Sequence, residues 1–183
     1  MLRIVLAAIA CLAAGCGDDL AAPPLPPVDD PIPYADPFVG SGGFGYAAGS
    51  AFPGAAAPSG LAKVGPDTEG PFGTITFLHY AGYWFGDDTI QGFSHVHLHG
   101  TGLPDYGVLG FMPVDGPVDA GRTTPSGYES TFAKESERAA PGYYDVTLDR
   151  GGIRVEITAT GHAAHHRIRF ACLLYTSPSP RDS

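Results

Sequence analysis

The sequence predicts an all-β fold, an antiparallel β-sandwich, and three observations carry that expectation. Between Tyr143 and Thr160 apolar and polar residues alternate: Tyr144, Val146 and Leu148, then Ile153, Val155, Ile157 and Ala159, are interleaved with Asp, Thr, Arg and Glu. A period of two with one apolar face is the signature of a half-buried strand. The two runs are separated by Asp149-Arg150-Gly151-Gly152, residues that tolerate positive φ, so they read as a hairpin. Finally, 26 glycines and 18 prolines occur in 183 residues, about a quarter of the chain, and both residue types interrupt helix interiors.

Taken from the N-terminus, residues 1–16 read as a lipoprotein signal peptide. Arg3 precedes the apolar run Ile4 to Ala14, and small residues lead to Cys16. Eleven apolar residues are too few to span a bilayer as a permanent helix. Leu12-Ala13-Ala14-Gly15-Cys16 resembles a lipobox, although its leucine stands one position further from the cysteine than is usual. Residues 17–33 carry six prolines and four aspartates with little to bury, the composition of an extended tether. Residues 34–171 form the folding segment. Besides the hairpin, Ala164, His166, Ile168 and Phe170 alternate with polar residues and predict a third strand. Short runs at Gly73 to Tyr80 and Tyr106 to Met112, bounded by Gly and Pro, predict two more. Residues 172–183, CLLYTSPSPRDS, break the strand pattern. They resemble translated sequencing adapter at the end of a gene fragment, with a genuine Ser/Pro-rich tail as the alternative.

Nineteen acidic against ten basic residues give a formal charge of −9, and there are only two lysines. A nucleic-acid partner is thereby disfavoured, since phosphate binding draws on clustered Lys and Arg. Cys11 leaves with the signal and Cys16 is assigned to the lipid, so Cys172 alone is left and no disulfide framework is expected.

Residues suited to site chemistry concentrate in the Gly-rich middle of the chain. His95, His97 and His99 are spaced by two, so on a strand their imidazoles share one face. Two readings follow. Imidazoles on one face suit zinc, copper, iron or nickel, with Asp105 or Glu129 as carboxylate partners by proximity in sequence. Alternatively they are hydrogen-bonding groups that position a polar ligand or a buried turn. Tyr83-Trp84-Phe85 suits either a stacking platform for a sugar ring or packing in the core. Asp87-Asp88 follows Gly86 and reads as a turn. The loop Gly40-Ser41-Gly42-Gly43-Phe44-Gly45 lacks the lysine and the strand-to-helix context of a phosphate cradle.

Three stretches, Asp36 to Thr68 (DPFVGSGGFGYAAGSAFPGAAAPSGLAKVGPDT), Gly92 to Gly107 (GFSHVHLHGTGLPDYG) and Pro141 to Thr160 (PGYYDVTLDRGGIRVEITAT), resemble the N-terminal domain of glycoside hydrolase family 92. The resemblance implies a calcium-dependent, inverting exo-α-mannosidase whose β-sandwich precedes a larger α/α barrel domain. The general acid, the general base and most calcium ligands would belong to that second domain. Inverting hydrolysis needs two carboxyl groups roughly 6.5–9.5 Å apart, and none of the five glutamates lies in a matching catalytic context. No catalytic residue or metal ligand is therefore assigned to this chain. His97, preceding the Gly100-Thr101-Gly102 turn, is expected to face substrate, supported by His95 and Asp105, while Trp84 offers an apolar face to the sugar.

The implied partners are mannose-containing glycans, the C-terminal catalytic domain and, through Cys16, a membrane, which places the protein in a bacterial cell envelope, periplasmic or at the surface. The alternative is a stand-alone carbohydrate-binding sandwich without catalysis. Anchoring has a direct test: the precursor should label with a fatty-acid analogue and partition with membranes, because diacylglycerol plus an N-acyl chain exceeds the two-signal requirement for stable attachment. Cys16→Ser should abolish both, and soluble, unlabelled wild-type protein would show a plain export signal.

Overall fold

The computed structural model describes residues 29–43, 50–57, 60–69, 78–100 and 108–171. The chain divides into two units, Met1–Pro31 and Ile32–Ser183, and the strands all belong to the second. The expected signal peptide with Cys16, most of the expected tether, and residues 172–183 lie outside the described residues.

Two antiparallel four-stranded sheets form the sandwich. The first has the order β1 (Ala55–Ala56), β2 (Lys63–Glu69), β3 (Thr89–Ser94) and β4 (Ser130–Thr131). The second has the order β5 (Arg138–Ala140), β6 (Tyr143–Leu148), β7 (Ile153–Ala159) and β8 (Ala164–Arg169). The hairpin expected from the alternation is β6–β7, with Tyr144 opposite Ile157, Val146 opposite Val155 and Leu148 opposite Ile153. Gly151 and Gly152 turn the chain with φ of 72° and 57°, a region that L side chains enter only with strain. The apolar face of this hairpin meets Ala55, Val64, Ile90, Phe93 and Phe132 from the first sheet in one continuous core. Each fully buried Val, Leu, Ile or Phe there contributes about 1.5–3 kcal/mol.

The outward face of the hairpin is polar, as the alternation requires, and it is covered by arginines. Arg154 grips Asp145 through two hydrogen bonds of 2.9 and 2.6 Å. Arg167 from β8 bonds Glu156 at 2.7 Å, and with this arginine beside it the Glu156 carboxyl is held down to about 2. Asp145 and Glu156 stand directly opposite each other, so the arginines offset a like-charge cross-strand pair.

Two strands of the first sheet departed from sequence expectation. β2 contains Gly65 and Pro66, and β3 contains Gly92, residues that depress strand propensity. Packing accounts for Gly65: a Cβ there would lie 2.6 Å from the Phe52 ring, so glycine lets that ring lie against the β2 backbone. The run expected at Gly73 to Tyr80 falls mostly outside the described residues, and its described end, Leu78 to Tyr80, is not strand. Of Tyr106 to Met112, the described part follows β3 through a bridge at Phe93 and Phe111 but departs from strand geometry at Leu109, whose φ is 57°.

A buried polar knot ties the loop before β3 to the second sheet. The Glu137 carboxylate accepts hydrogen bonds from Tyr83 Oη (2.9 Å), Tyr144 Oη (2.7 Å) and Lys134 Nζ (3.1 Å). Lys134 Nζ also lies 4.9, 4.8 and 4.6 Å from the ring centroids of Tyr83, Phe85 and Phe132, within cation–π range. Burial, reinforced by the Glu137 charge, holds both tyrosine hydroxyls protonated far above their ordinary range. Glu137→Ala should cost about 3–5 kcal/mol, because it strands a partly buried ammonium and two buried phenols. Tyr83→Phe leaves Lys134 and Tyr144 on the carboxylate and should cost about 1–2 kcal/mol. Urea denaturation checks the pair, and equal losses in the two variants would contradict the knot.

Candidate functional site

β3 ends at Ser94, and this one fact redistributes the histidines. The expectation that His95, His97 and His99 share a face required the strand to continue, and it does not. His95 turns toward β8 and His99 is exposed, stacked on Phe52 at 4.7 Å. His97 goes inward, is 0 % exposed and stacks on the same Phe52 ring at 4.3 Å. In this chain the His97 imidazole is enclosed. Trp84 is buried as well. It is 8 % exposed, its indole N–H donates to the Gly43 carbonyl at 3.2 Å, and its ring occupies the space beside Gly86. Phe85, 46 % exposed, is the outward member of that aromatic run. Asp105 lies outside the described residues. Asp87, expected in a turn, closes one, its N–H donating to the Trp84 carbonyl at 3.1 Å, and its carboxyl is buried, 2.6 Å from His79 Nε2 and accepting from Thr68 Oγ1 at 2.7 Å.

His97 anchors a short chain of polar groups. Its Nδ1 stands 2.6 Å from the Ala81 carbonyl, which can only accept, so Nδ1 carries the proton and Nε2 of the neutral ring holds a lone pair. Nε2 is 2.9 Å from Ser94 Oγ, and Ser94 Oγ is 2.9 Å from Asp67 Oδ1. Ser94 Oγ donates to Asp67 Oδ1 and lies beside His97 Nε2, so the hydroxyl links the imidazole to the carboxyl. Burial raises the Asp67 carboxyl to about 7, against the opposing effect of Ser94. Burial also lowers His97 to about 4, outweighing the Ala81 and Gly65 carbonyls that favour its charged form.

Asp67 stands at the wall of a cleft of about 450 Å³, with Gln91, Phe111, Met112, Arg122 and Tyr128 around it. Arg122 is held by the Asp115 carbonyl at 2.8 Å through Nη2, while its Nη1 is buried with no hydrogen-bond partner among the described residues. A carboxyl, an amide, a guanidinium and a phenol beside apolar Phe111 and Met112 form the mixed lining of a site for a small polar ligand with an apolar face. Sequence reasoning passed over Asp67, Gln91, Arg122 and Tyr128, since they belong to separate segments. The one available signal was Asp67 within the GPDT string.

With this geometry in place, comparison with known proteins is decisive about family. Residues 34–173 match the glycosyl hydrolase family 92 N-terminal domain, and the chain belongs to that family. An uncharacterized secreted glycosidase of Arthroderma benhamiae is 32% identical over 145 residues, which are 77% of this chain and 17% of the relative. A family GH92 α-mannosidase from Bacteroides thetaiotaomicron, solved in complex with mannoimidazole, is similar with a TM-score of 0.65 and 33% identity over 76% of this chain and 18% of that one. The GH92 glycosyl hydrolase ccman5 gives 0.63 and 30% over 77% and 19%. The chain thus spans under a fifth of the length of these relatives and is related to mannosidases through their N-terminal domain.

The protonation pattern predicts a pH signature. Asp67, raised in the fold, contributes stability that is complete below about pH 4 and lost as pH rises to about 7. His97, lowered in the fold, contributes stability that is complete above about pH 6.5 and lost as pH falls to about 4. The two slopes oppose each other in wild type. In Asp67→Asn the amide oxygen can still accept from Ser94, and of these two slopes only that of His97 is left. Relative to wild type, this variant should be at least as stable above pH 7 and should weaken as pH falls from about 6.5 to about 4. Urea midpoints across that range measure the difference, and parallel pH profiles would contradict the assignment.

Proposed function

We propose that this chain is the N-terminal β-sandwich part of a secreted, lipid-anchored α-mannosidase that removes terminal α-mannose from glycans, and that the Asp67 cleft is where the sandwich meets the glycan. Family membership and the mannosidase relative solved with mannoimidazole support the substrate class. The observation that carries the local assignment is the cleft itself, in which the Asp67 carboxyl, Gln91, Arg122 and Tyr128 stand beside an apolar wall. Ser94, donating to Asp67, holds the carboxyl in place and leaves it lone pairs to accept from a sugar hydroxyl. His97 and Ser94 are then positioning residues that act through Asp67.

The acid and base are assigned to the rest of the enzyme. Asp67 is the single carboxyl among the residues lining the cleft, and an inverting mechanism needs a pair with room for water between them. Calcium follows the same division. It takes six to eight oxygen ligands, and the described residues bring no three of His, Cys, Asp or Glu together, so they do not form such a site by themselves.

The full-length gene tests this reading. The 183-residue chain alone should release no mannose from a simple α-mannoside, and the full-length enzyme should do so with calcium. In that enzyme Arg122→Ala and Asp67→Ala should each lower kcat/KM by roughly 10- to 100-fold with the fold retained. Turnover by the chain alone, or unchanged kcat/KM in both variants, would overturn the proposal.

A further inference from the structure

His95, released from the other two histidines by the end of β3, meets His166 of β8 with Nε2 to Nε2 of 3.0 Å. The rings lie with centroids 4.9 Å apart and planes at 38°, so they meet through their nitrogen edges. From this juxtaposition we propose a transition-metal site in which His95 Nε2 and His166 Nε2 chelate one zinc or copper ion and clamp the first sheet to the second.

Three features of the geometry support it. At metal–nitrogen distances of about 2.0–2.1 Å, two ligands subtend about 2.9 Å across a right angle and about 3.3 Å across a tetrahedral one. The observed separation falls between these values, so a metal is admitted with only a small side-chain movement. His95 is already oriented as a ligand: its Nδ1 is 2.7 Å from the Leu109 carbonyl. That carbonyl fixes the proton on Nδ1 and leaves Nε2 with its lone pair, the backbone arrangement by which metal-bound histidines are usually held. The carbonyl is supplied at some expense, because Leu109 is the one non-glycine residue with positive φ among the described residues, at 57°, and such strain accumulates at ligand clamps. His166 is half-buried. When the metal enters, the proton between the two Nε2 atoms moves to His166 Nδ1, so two neutral rings bind without net proton release. Phe111, 5.1 Å from His95 edge-on, walls one side. With two protein ligands the remaining positions face water, so affinity in the micromolar range is expected.

The test uses the untagged 183-residue chain and the metals alone. Calorimetric titration with zinc should give one ion per chain, and the melting temperature should rise with zinc and return with a chelator, since an ion that binds the folded state stabilises it. Copper should give an electron paramagnetic resonance spectrum with coupling to two nitrogens. His166→Ala, on an exposed edge strand, and His95→Gln should each weaken zinc at least about tenfold, whereas His162→Ala should bind as wild type. Melting curves in chelator establish that each variant is folded. Absence of zinc and copper binding, or binding unaltered in both variants, overturns the site.

Discussion

A single carboxylate, Glu137, is what much of this sandwich hangs on. It follows a short 3-10 turn at Lys134–Ser136 and collects two buried tyrosines and a lysine from three segments. Buried charge is costly unless its lone pairs are met, and meeting them forces Tyr83 and Tyr144 into fixed positions. Tyr144 belongs to the main core, whereas Tyr83 belongs to the smaller cluster with Phe52 and Ala81. The carboxylate therefore couples the sheet pair to the loop layer that carries the histidines. Phe52 extends the coupling, because the same ring stacks on His97 and His99.

That coupling reaches a residue of the cleft. Ala81, two residues from Tyr83, presents the carbonyl that fixes the His97 tautomer. Ser94 stands between His97 and Asp67 and donates to the carboxyl. The path from the core to the cleft consists of hydrogen bonds of 2.6 to 2.9 Å. It ends in a carboxyl that burial raises to about 7, beside a lining of amide, guanidinium and phenol.

Three strands of the second sheet, β6, β7 and β8, are legible in the sequence because they alternate and the β6–β7 turn supplies two glycines, so local pattern and tertiary fold agree; the short β5 (Arg138–Ala140) carries no such pattern. The first sheet is not legible, because Gly65, Pro66 and Gly92 depress strand propensity, and Gly65 is there for the close approach of Phe52. The histidine spacing shows that the motif is special but not its geometry: spacing by two aligns side chains only while a strand lasts, and here it stops at Ser94. An aromatic run likewise does not reveal which member turns outward, here Phe85. Glu137 and Lys134 carried no local signal at all. Tyr83, 54 residues away from Glu137, becomes a neighbour only through the fold. The family resemblance succeeded where propensity failed, since it rests on the very glycines and histidines that obscure the strand pattern.

The central claim is that the Asp67 cleft is the sugar-facing surface of this sandwich. It is tested most directly by titrating the chain with methyl α-mannoside and following backbone amide shifts by nuclear magnetic resonance. The account predicts saturable shifts at Gln91, Gly92, Gly110, Phe111, Met112 and Arg122, weakened in Arg122→Ala. Shifts confined to another face, or none at concentrations well into the millimolar range, would contradict it.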